Sequence, residues 1–375
     1  MAVFGTRPEA VKMAPVITGL RDSQDFEPVV VVTAQHREML DQVLRLFEIT
    51  PDRDLDIMVP EQSLADITTR GLGRLDPVMD GLRPAMVLVQ GDASSTLLGA
   101  LAAFYHRIPV AHVEAGLRTH DKYRPFPEEM NRRLTSALAD LHFPPTPQAR
   151  ANLLAEGTPP EWIFVTGNTV IDALHSVVRR PDVTLPPDLP PLEGHRVLLV
   201  TTHRRENWGE PLRQIHLALL DVLERFHDLV VVFSMHWNPA VRRVALEVLG
   251  GHPRVHIVDP PDYGPWVRLM ERAYMILTDS GGIQEEAPAL GVPVLVARDV
   301  TERPEGVQAG TVELVGTSRE AIVARASRLL ADPAARAAMA SVRNPYGDGR
   351  AASRILEALR LWFGRTDARP NEFGS

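Results

Sequence analysis

Residues 196–226 read RVLLVTTHRRENWGEPLRQIHLALLDVLERF. The opening run, Arg196–Thr202, is almost continuously apolar and short, the pattern of a strand covered on both faces rather than one with a wet side. From Leu212 to Phe226 apolar residues recur at spacings of three and four, which predicts a helix long enough to cross back over a parallel sheet. Another apolar run, Leu229–Ser234, follows at once. Working outward, the same alternation predicts strands at Ala2–Phe4, Val29–Thr33, Ala85–Gln90, Pro109–Glu114, Trp162–Thr166, Val255–Val258, Tyr274–Thr278 and Pro293–Val296. Helices are expected between them, for example over Arg37–Phe47 and Thr96–Arg107. The fold class is therefore α/β, with doubly wound parallel sheets.

The pattern stops once, at RRPDVTLPPDLPPLEG (179–194), where five prolines fall in sixteen residues. A domain boundary is expected there, giving a first Rossmann-like domain over 1–178, a linker over 179–194 and a second Rossmann-like domain over 195–347. A final helix, within 348–364, follows the turn NPYGDG and is free by pattern to pack on either domain. The chain of 375 residues, 45% hydrophobic and 23% charged, is long enough to bury two cores.

A net charge of −8 argues against nucleic acid as a partner, and small molecules are the expected ligands. Zero cysteines exclude a disulfide framework and a thiolate metal site or nucleophile. No eighteen-residue apolar run and no signal-peptide pattern is present, so no membrane partner and a cytoplasmic location are expected. Of forty basic residues only Lys12 and Lys122 are lysines, which draws attention to both.

The candidate chemistry lies where strands end, the place at which open parallel sheets bind ligands. AVFGTRPEAVKMAP puts Gly5 at a strand-to-helix turn, with Arg7 and Lys12 on the first turns of the helix. Glycine allows close approach, and the helix start and two cations favour an anion. TDSGGIQEE places Asp279, Ser280, Gly281 and Gly282 at a second such turn, suited to a diphosphate, and one of Glu285 and Glu286 could accept ribose hydroxyls. Asp92 and Glu114 each end a strand, and Glu128 and Arg132 sit four apart on one helix face. His203, Arg204 and Arg205 follow VLLVTT, and His236 repeats the arrangement one unit on. For each group the plain alternative is an ordinary turn or a surface ion pair worth a few tenths of a kcal/mol.

Other signatures are missing. No G-x-G-x-x-G follows a strand, because Gly71 and Gly73 of GLGRLD fall in a helical segment, so no nicotinamide cofactor is expected. There is no Walker loop, H-E-x-x-H or G-x-S-x-G. His112 and Glu114 lack a third ligand in view, and no metal is expected.

The strings FGTRPEA, TAQHREMLDQV, HVEAGLRT, PEEMNR, THRREN, TDSGGIQEEAP, ERPEG and NPYGDG stand in this order from about residue 3 to about residue 360. Together they resemble the non-hydrolysing UDP-N-acetylglucosamine 2-epimerases of bacteria. The resemblance implies a glycosyltransferase-B-like fold with the active site in the interdomain cleft, a homodimer, and a final helix that packs back on the first domain. It implies interconversion of UDP-N-acetylglucosamine and UDP-N-acetylmannosamine, feeding surface polysaccharide synthesis, with UDP eliminated to leave 2-acetamidoglucal and then added back. No cofactor is implied.

Carried residue by residue, the resemblance makes Asp92, Glu114, Glu128, Arg132 and His203 catalytic, with Arg132 orienting the acids. Arg7, Lys12, Trp266, Ser280, Gly281, Gly282, Glu286 and Arg303 would bind substrate. Gln35, Glu38, Arg204 and His236 match positions of a second, activating nucleotide-sugar site. Two departures stand out: only four residues precede Gly5, and Pro261 and Trp266 stand where glutamine and phenylalanine are common near the uracil. A UDP-sugar glycosyltransferase of the same fold is the main rival, and a catalytically silent sensor is the second. Asp92, Glu114 and Glu128 argue against the first, since simple transfer rarely needs so many acids, and intact Asp92, Glu114 and His203 argue against the second.

Overall fold

The computed structural model describes residues 1–33, 37–59 and 62–374, without the side chain of Arg37. The chain divides into two units, Met1–Ser176 with Gly347–Ser375, and Val177–Tyr346.

The first unit holds strands β1 (Ala2–Phe4), β2 (Val30–Val32), β3 (Arg53–Asp54), β4 (Val87–Gln90), β5 (Val110–Val113) and β6 (Leu141–Phe143). All pair in parallel, in the order β3-β2-β1-β4-β5-β6. The second unit holds β7 (Arg196–Thr201), β8 (Leu229–Ser234), β9 (Val255–Val258), β10 (Met275–Thr278), β11 (Val294–Val296) and β12 (Val312–Leu314). They too pair only in parallel, in the order β12-β11-β10-β7-β8-β9. Counted from each unit's own first strand, both sheets have the 3-2-1-4-5-6 order of a doubly wound dinucleotide-type fold. The order reverses between β1 and β4 in one sheet and between β7 and β10 in the other, so the turns after these four strands flank the crevices.

Nine of the ten expected strands are present within a residue or two of their ends. Trp162–Thr166 is not one of them. Pro160–Trp162 forms a single 3₁₀ turn, and only Ile163 bridges to His142. Phe164 N and Thr166 N still donate to His142 O and Pro144 O, both at 3.0 Å, so the segment lies beside β6 without continuing the ladder as a strand. Three strands escaped the reading: Arg53–Asp54 is two exposed charged residues, while Leu141–Phe143 and Val312–Leu314 are three residues each. Such runs carry too little periodicity to register.

The helix Arg7–Asp22 begins with a capping box, in which Thr6 caps the Glu9 N–H and Glu9 reaches back. Gly71 and Gly73 lie inside the helix Leu64–Leu82. The last helix, Ala351–Trp362, belongs to the first unit, where Asp172 accepts from Ala351 N at 3.1 Å and Ala352 N at 2.9 Å, capping it from outside. Its Leu356 packs against Gly19, where a Cβ would lie 3.1 Å from Leu356 Cδ2. The proline-rich stretch is not loose. Arg268 donates to Val178 O at 3.0 Å, to Val183 O at 2.8 Å and to Arg180 O, and Arg272 donates to Leu192 O at 2.6 Å, so 178–192 is fastened to the second unit. Each unit has its own core, one around Val3, Val87, Val89 and Leu98, the other around Leu198, Leu219, Val231 and Phe233.

Candidate functional site

In the first unit the turn after β1 needs its glycine. A Cβ on Gly5 would fall 1.8 Å from Thr33 Oγ1. Beneath it, the buried Glu9 carboxylate accepts from Gly5 N (3.1 Å), Thr6 N (2.8 Å) and Ser95 Oγ (2.6 Å), which ties the first turn to the start of the helix Ser94–Tyr105. Burial pushes the Glu9 carboxyl above its ordinary range, and these hydrogen bonds oppose the shift. The chain is thereby fixed where Arg7 enters the helix, one residue before Pro8, with its side chain half-buried.

The turns after β4 and β5 bring the carboxylates together. Glu114 follows β5 with φ 61°, a left-handed conformation that ordinary residues rarely take. Its carboxylate receives Lys12 Nζ at 2.5 Å and Asn168 Nδ2 at 2.9 Å on Oε1, and Gln90 Nε2 at 2.5 Å on Oε2. Asp92 stands nearby with Arg132 Nη2 at 2.6 Å from its Oδ2, while Asn131 donates to the Asp92 carbonyl at 2.9 Å. Desolvation raises the Asp92 carboxyl above its ordinary range, Glu114 and Glu128 add to the rise as like charges, and Arg132 and Lys12 oppose it. These charges are mutual neighbours at one crevice. A carboxyl held toward neutral pH beside an arginine can both give and take a proton.

Glu128 opens the helix Glu128–Leu138 half-buried, while Glu129 next to it is fully buried, accepting from Thr119 N at 3.1 Å and His120 N at 3.2 Å and lying 3.6 Å from Arg132 Nη1. His112, which with Glu114 had raised the thought of a metal, is buried with Nε2 2.8 Å from Gly91 O, and burial pushes its imidazole down to about 3. Among the described residues no three His, Asp or Glu side chains gather as a metal site would need.

In the second unit the turn after β7 is held by a carboxylate from the turn after β10. Asp279 is wholly buried and accepts from His203 N (3.0 Å), Arg204 N (3.0 Å) and Asn207 Nδ2 (3.0 Å). His203 Nδ1 lies 3.5 Å from Asp279 Oδ1, and its ring stacks on His236 with centroids 5.3 Å apart. Burial lowers the His203 imidazole below its usual value; Asp279 opposes this, and His236 and Arg204 reinforce it. Arg204 Nη2 lies 3.7 Å from where a Gly281 Cβ would be, so its guanidinium borders the glycine turn. Ser280 is the residue before the helical turn Gly281–Glu286, and its N–H donates to Thr278 Oγ1 at 3.0 Å.

The two neighbouring glutamates have different settings. Glu285 is buried and paired with Arg303, whereas Glu286 is half-buried, accepts from Tyr263 OH at 3.0 Å and folds back over Gly282. Glu286 is the one left at the surface of the turn. Tyr263 starts the helix Tyr263–Arg272 that also carries the half-buried Trp266.

The structure thus gathers Lys12, Asp92, Glu114, Glu128 and Arg132 around the first crevice, with Arg7 opening the helix after β1, and places His203, Arg204, His236, Ser280, Gly281, Gly282, Glu286 and Arg303 around the second. Glu38 is exposed on the first turn of the helix Arg37–Leu46, and Gln35 lies outside the described residues. Gln90, Asn168 and Glu9 are not among the sequence candidates, and Asp279, expected at a ligand turn, accepts from the His203 backbone. Gln90 carried a usable signal, since it too ends a strand. Asn168 did not, because its partner is 54 residues away.

Residues 18–360 match the family model described as UDP-N-acetylglucosamine 2-epimerase. The chain is 51% identical over 373 residues to the UDP-N-acetylglucosamine 2-epimerase of Bacillus subtilis, covering 100% of this chain and 98% of that one. A solved structure from Listeria monocytogenes bearing the same family name is similar with a TM-score of 0.93 at 48% identity, covering 100% of this chain and 99% of the other. The crystal structure of the UDP-GlcNAc 2-epimerase from Neisseria meningitidis bound to UDP-GlcNAc is similar with a TM-score of 0.85 at 47% identity, covering 96% and 98%.

Proposed function

Because this chain belongs to the UDP-N-acetylglucosamine 2-epimerase family, we propose that the acids at its first crevice carry the proton chemistry of that family's reaction. The protein is an isomerase of glycosyltransferase-B-like fold, and it interconverts UDP-N-acetylglucosamine and UDP-N-acetylmannosamine. The observation that carries the mechanistic reading is the convergence of Asp92, Glu114, Lys12 and Arg132 within hydrogen-bonding reach of one another in pairs.

The hydrogen on C2 of the sugar has no ring carbonyl to acidify it. Its removal is coupled to departure of UDP from C1: a base takes the proton, the C2–H electrons form the C1–C2 double bond, and the C1–O bond breaks to leave 2-acetamidoglucal. UDP then returns to C1 while an acid delivers a proton to the opposite face of C2. Groups are needed on both faces, and Asp92, Glu114, Glu128 and His203 supply them. Arg132 holds Asp92 in place, Arg7 and Lys12 meet the charge growing on the diphosphate, Ser280–Gly282 and Arg303 hold phosphate, Glu286 takes the ribose and Trp266 offers an aromatic face to the base. No metal or nicotinamide enters this scheme.

Purified protein given UDP-N-acetylglucosamine alone yields both epimers, read from the anomeric proton signals. In heavy water the recovered pool acquires deuterium at C2. Turnover with only protium retained there would refute the elimination.

Three further parts of the reading follow the family. Gln35, Glu38, Arg204 and His236 match the positions of the family's activating site, so the reverse reaction responds sigmoidally and added UDP-N-acetylglucosamine restores its rate; a hyperbolic curve insensitive to that addition refutes it. The protein works as a homodimer, which light scattering tests. It acts in the cytoplasm, supplying precursors for surface polysaccharide, and no described helix is long and apolar enough to cross a membrane.

A further inference from the structure

Asn168 sits on the loop before the helix Thr169–Val178, remote in sequence from Asp92, Glu114 and Glu128. The residue is 2% exposed, and its side-chain amide makes hydrogen bonds of opposite sense. Oδ1 accepts from Val170 N at 3.1 Å, capping the helix start, and Nδ2 donates to Glu114 Oε1 at 2.9 Å. The cap decides the amide's orientation: Val170 N requires an acceptor, so the oxygen faces the helix and the NH₂ is left facing Glu114. The chain closes over this residue from behind. A Cβ on Gly347 would fall 3.3 Å from Asn168 O and 3.0 Å from Ile171 Cγ1, so nothing larger than glycine fits there without displacement.

We propose that Asn168 is a positioning residue for the epimerisation, one that sets the rotamer and charge state of Glu114 and transmits to it the placement of the helix Thr169–Val178. The proposal rests on the reading of Glu114 as an acid–base group. Glu114 needs such a hold because its backbone is in the left-handed region, where its side chain leaves β5 in a direction the strand does not dictate. Lys12 holds it from the helix after β1 and Gln90 from the end of β4; Asn168 holds it from the far side of the sheet order, beyond β6. Lys12 has its own part to play toward the diphosphate, and a lysine stem is flexible. The capped amide is the rigid member of the set.

Asn168→Ser separates the two jobs. A serine hydroxyl caps a helix about as well as asparagine but is too short to reach Glu114. Its melting temperature should stay close to that of the unaltered protein, while kcat falls roughly ten- to hundredfold with little change in KM, the scale of one lost hydrogen bond to a charged group. Asn168→Asp keeps the shape and the cap but sets a second anion against Glu114. There kcat falls further, and the acid limb of its pH profile moves to higher pH, since a like charge makes the carboxyl harder to ionise. A purely structural role would lower the melting temperature of both variants and leave the pH limb where it was. Asn168→Ser with unaltered kcat, or Asn168→Asp with an unmoved limb, overturns the proposal while the epimerase reading stands. If instead the unaltered protein exchanges no C2 hydrogen with heavy water, the reading itself fails, and the proposal with it.

Discussion

Arg132 Nη2 and Asp92 Oδ2 stand 2.6 Å apart, joining a helix to the end of β4 across forty residues of sequence. The pair sets a cation against a carboxyl that desolvation is pushing the other way, and desolvation is the larger effect. Asp92→Asn keeps the shape and most of the packing but cannot exchange a proton. Turnover should fall by about two to four orders of magnitude, while UDP affinity by calorimetry stays within a few fold. Equal loss of both would move Asp92 out of the reaction and into the fold.

The stacked pair His203 and His236 gives a second test. His236 is among the influences that hold the His203 imidazole low, and it also shields the ring from water. His236→Ala removes both effects, so the His203 pKa should rise. Imidazole proton shifts followed against pH in the free protein measure this directly, and a fall on substitution would contradict the assigned cause.

Gly5→Ala should destabilise the protein by about 1–3 kcal/mol, because the new methyl meets Thr33 Oγ1 at 1.8 Å and the turn must shift. Adding Thr33→Ala removes the clashing oxygen and should return most of the loss. Chemical denaturation of the single and double variants checks it, and additive losses would place the strain elsewhere.

Acid should weaken the fold through its buried histidines. Burial holds His112 at about 3, His142 at about 4 and His216 at about 4, all below the 6.5 of an unfolded histidine. The unfolded chain therefore binds more protons, and stability is lost as pH falls from about 6.5 toward 4. Asp172 has the reverse sign: burial raises it to about 6 from 3.8, so its contribution grows as pH falls through that window. Glu9 and Asp92, which burial also raises, act in the same sense as Asp172, so the histidine contribution is read by removing one histidine. His216→Leu, at a ring packed edge-on to Phe233, should flatten the fall of melting temperature between pH 7 and pH 4.5, as scanning calorimetry would show. An unchanged slope would exonerate His216.

The fold was legible where burial on both faces left long apolar runs. VLLVT and LVVVFS announce a parallel sheet before any partner is known, and the glycines after β1 and β10, Gly5 and Gly281–Gly282, announce crevices. The short strand Leu141–Phe143 and the charged edge Arg53–Asp54 were not legible, because a strand of two or three residues is defined by the neighbour it pairs with. Trp162–Thr166 reads as apolar but meets β6 through a single bridge, at Ile163, and so does not extend the sheet as a strand.

For the site, residue type and place singled out Asp92, Glu114 and His203 after strands and Lys12 and Arg132 on helices as candidates, and the resemblance gave them their roles. Sequence alone determined which functional groups the protein owns and which turn each occupies, since both follow from local periodicity and turn chemistry. Only the tertiary structure decided their partners: that Lys12, Gln90 and Asn168 converge on Glu114, that Asp279 serves the backbone of His203, and that Glu285 takes Arg303 and leaves Glu286 at the turn. These pairings join strand ends brought side by side by parallel order, at separations from 18 to 102 residues, and Coulomb and hydrogen-bond forces depend on that distance in space alone.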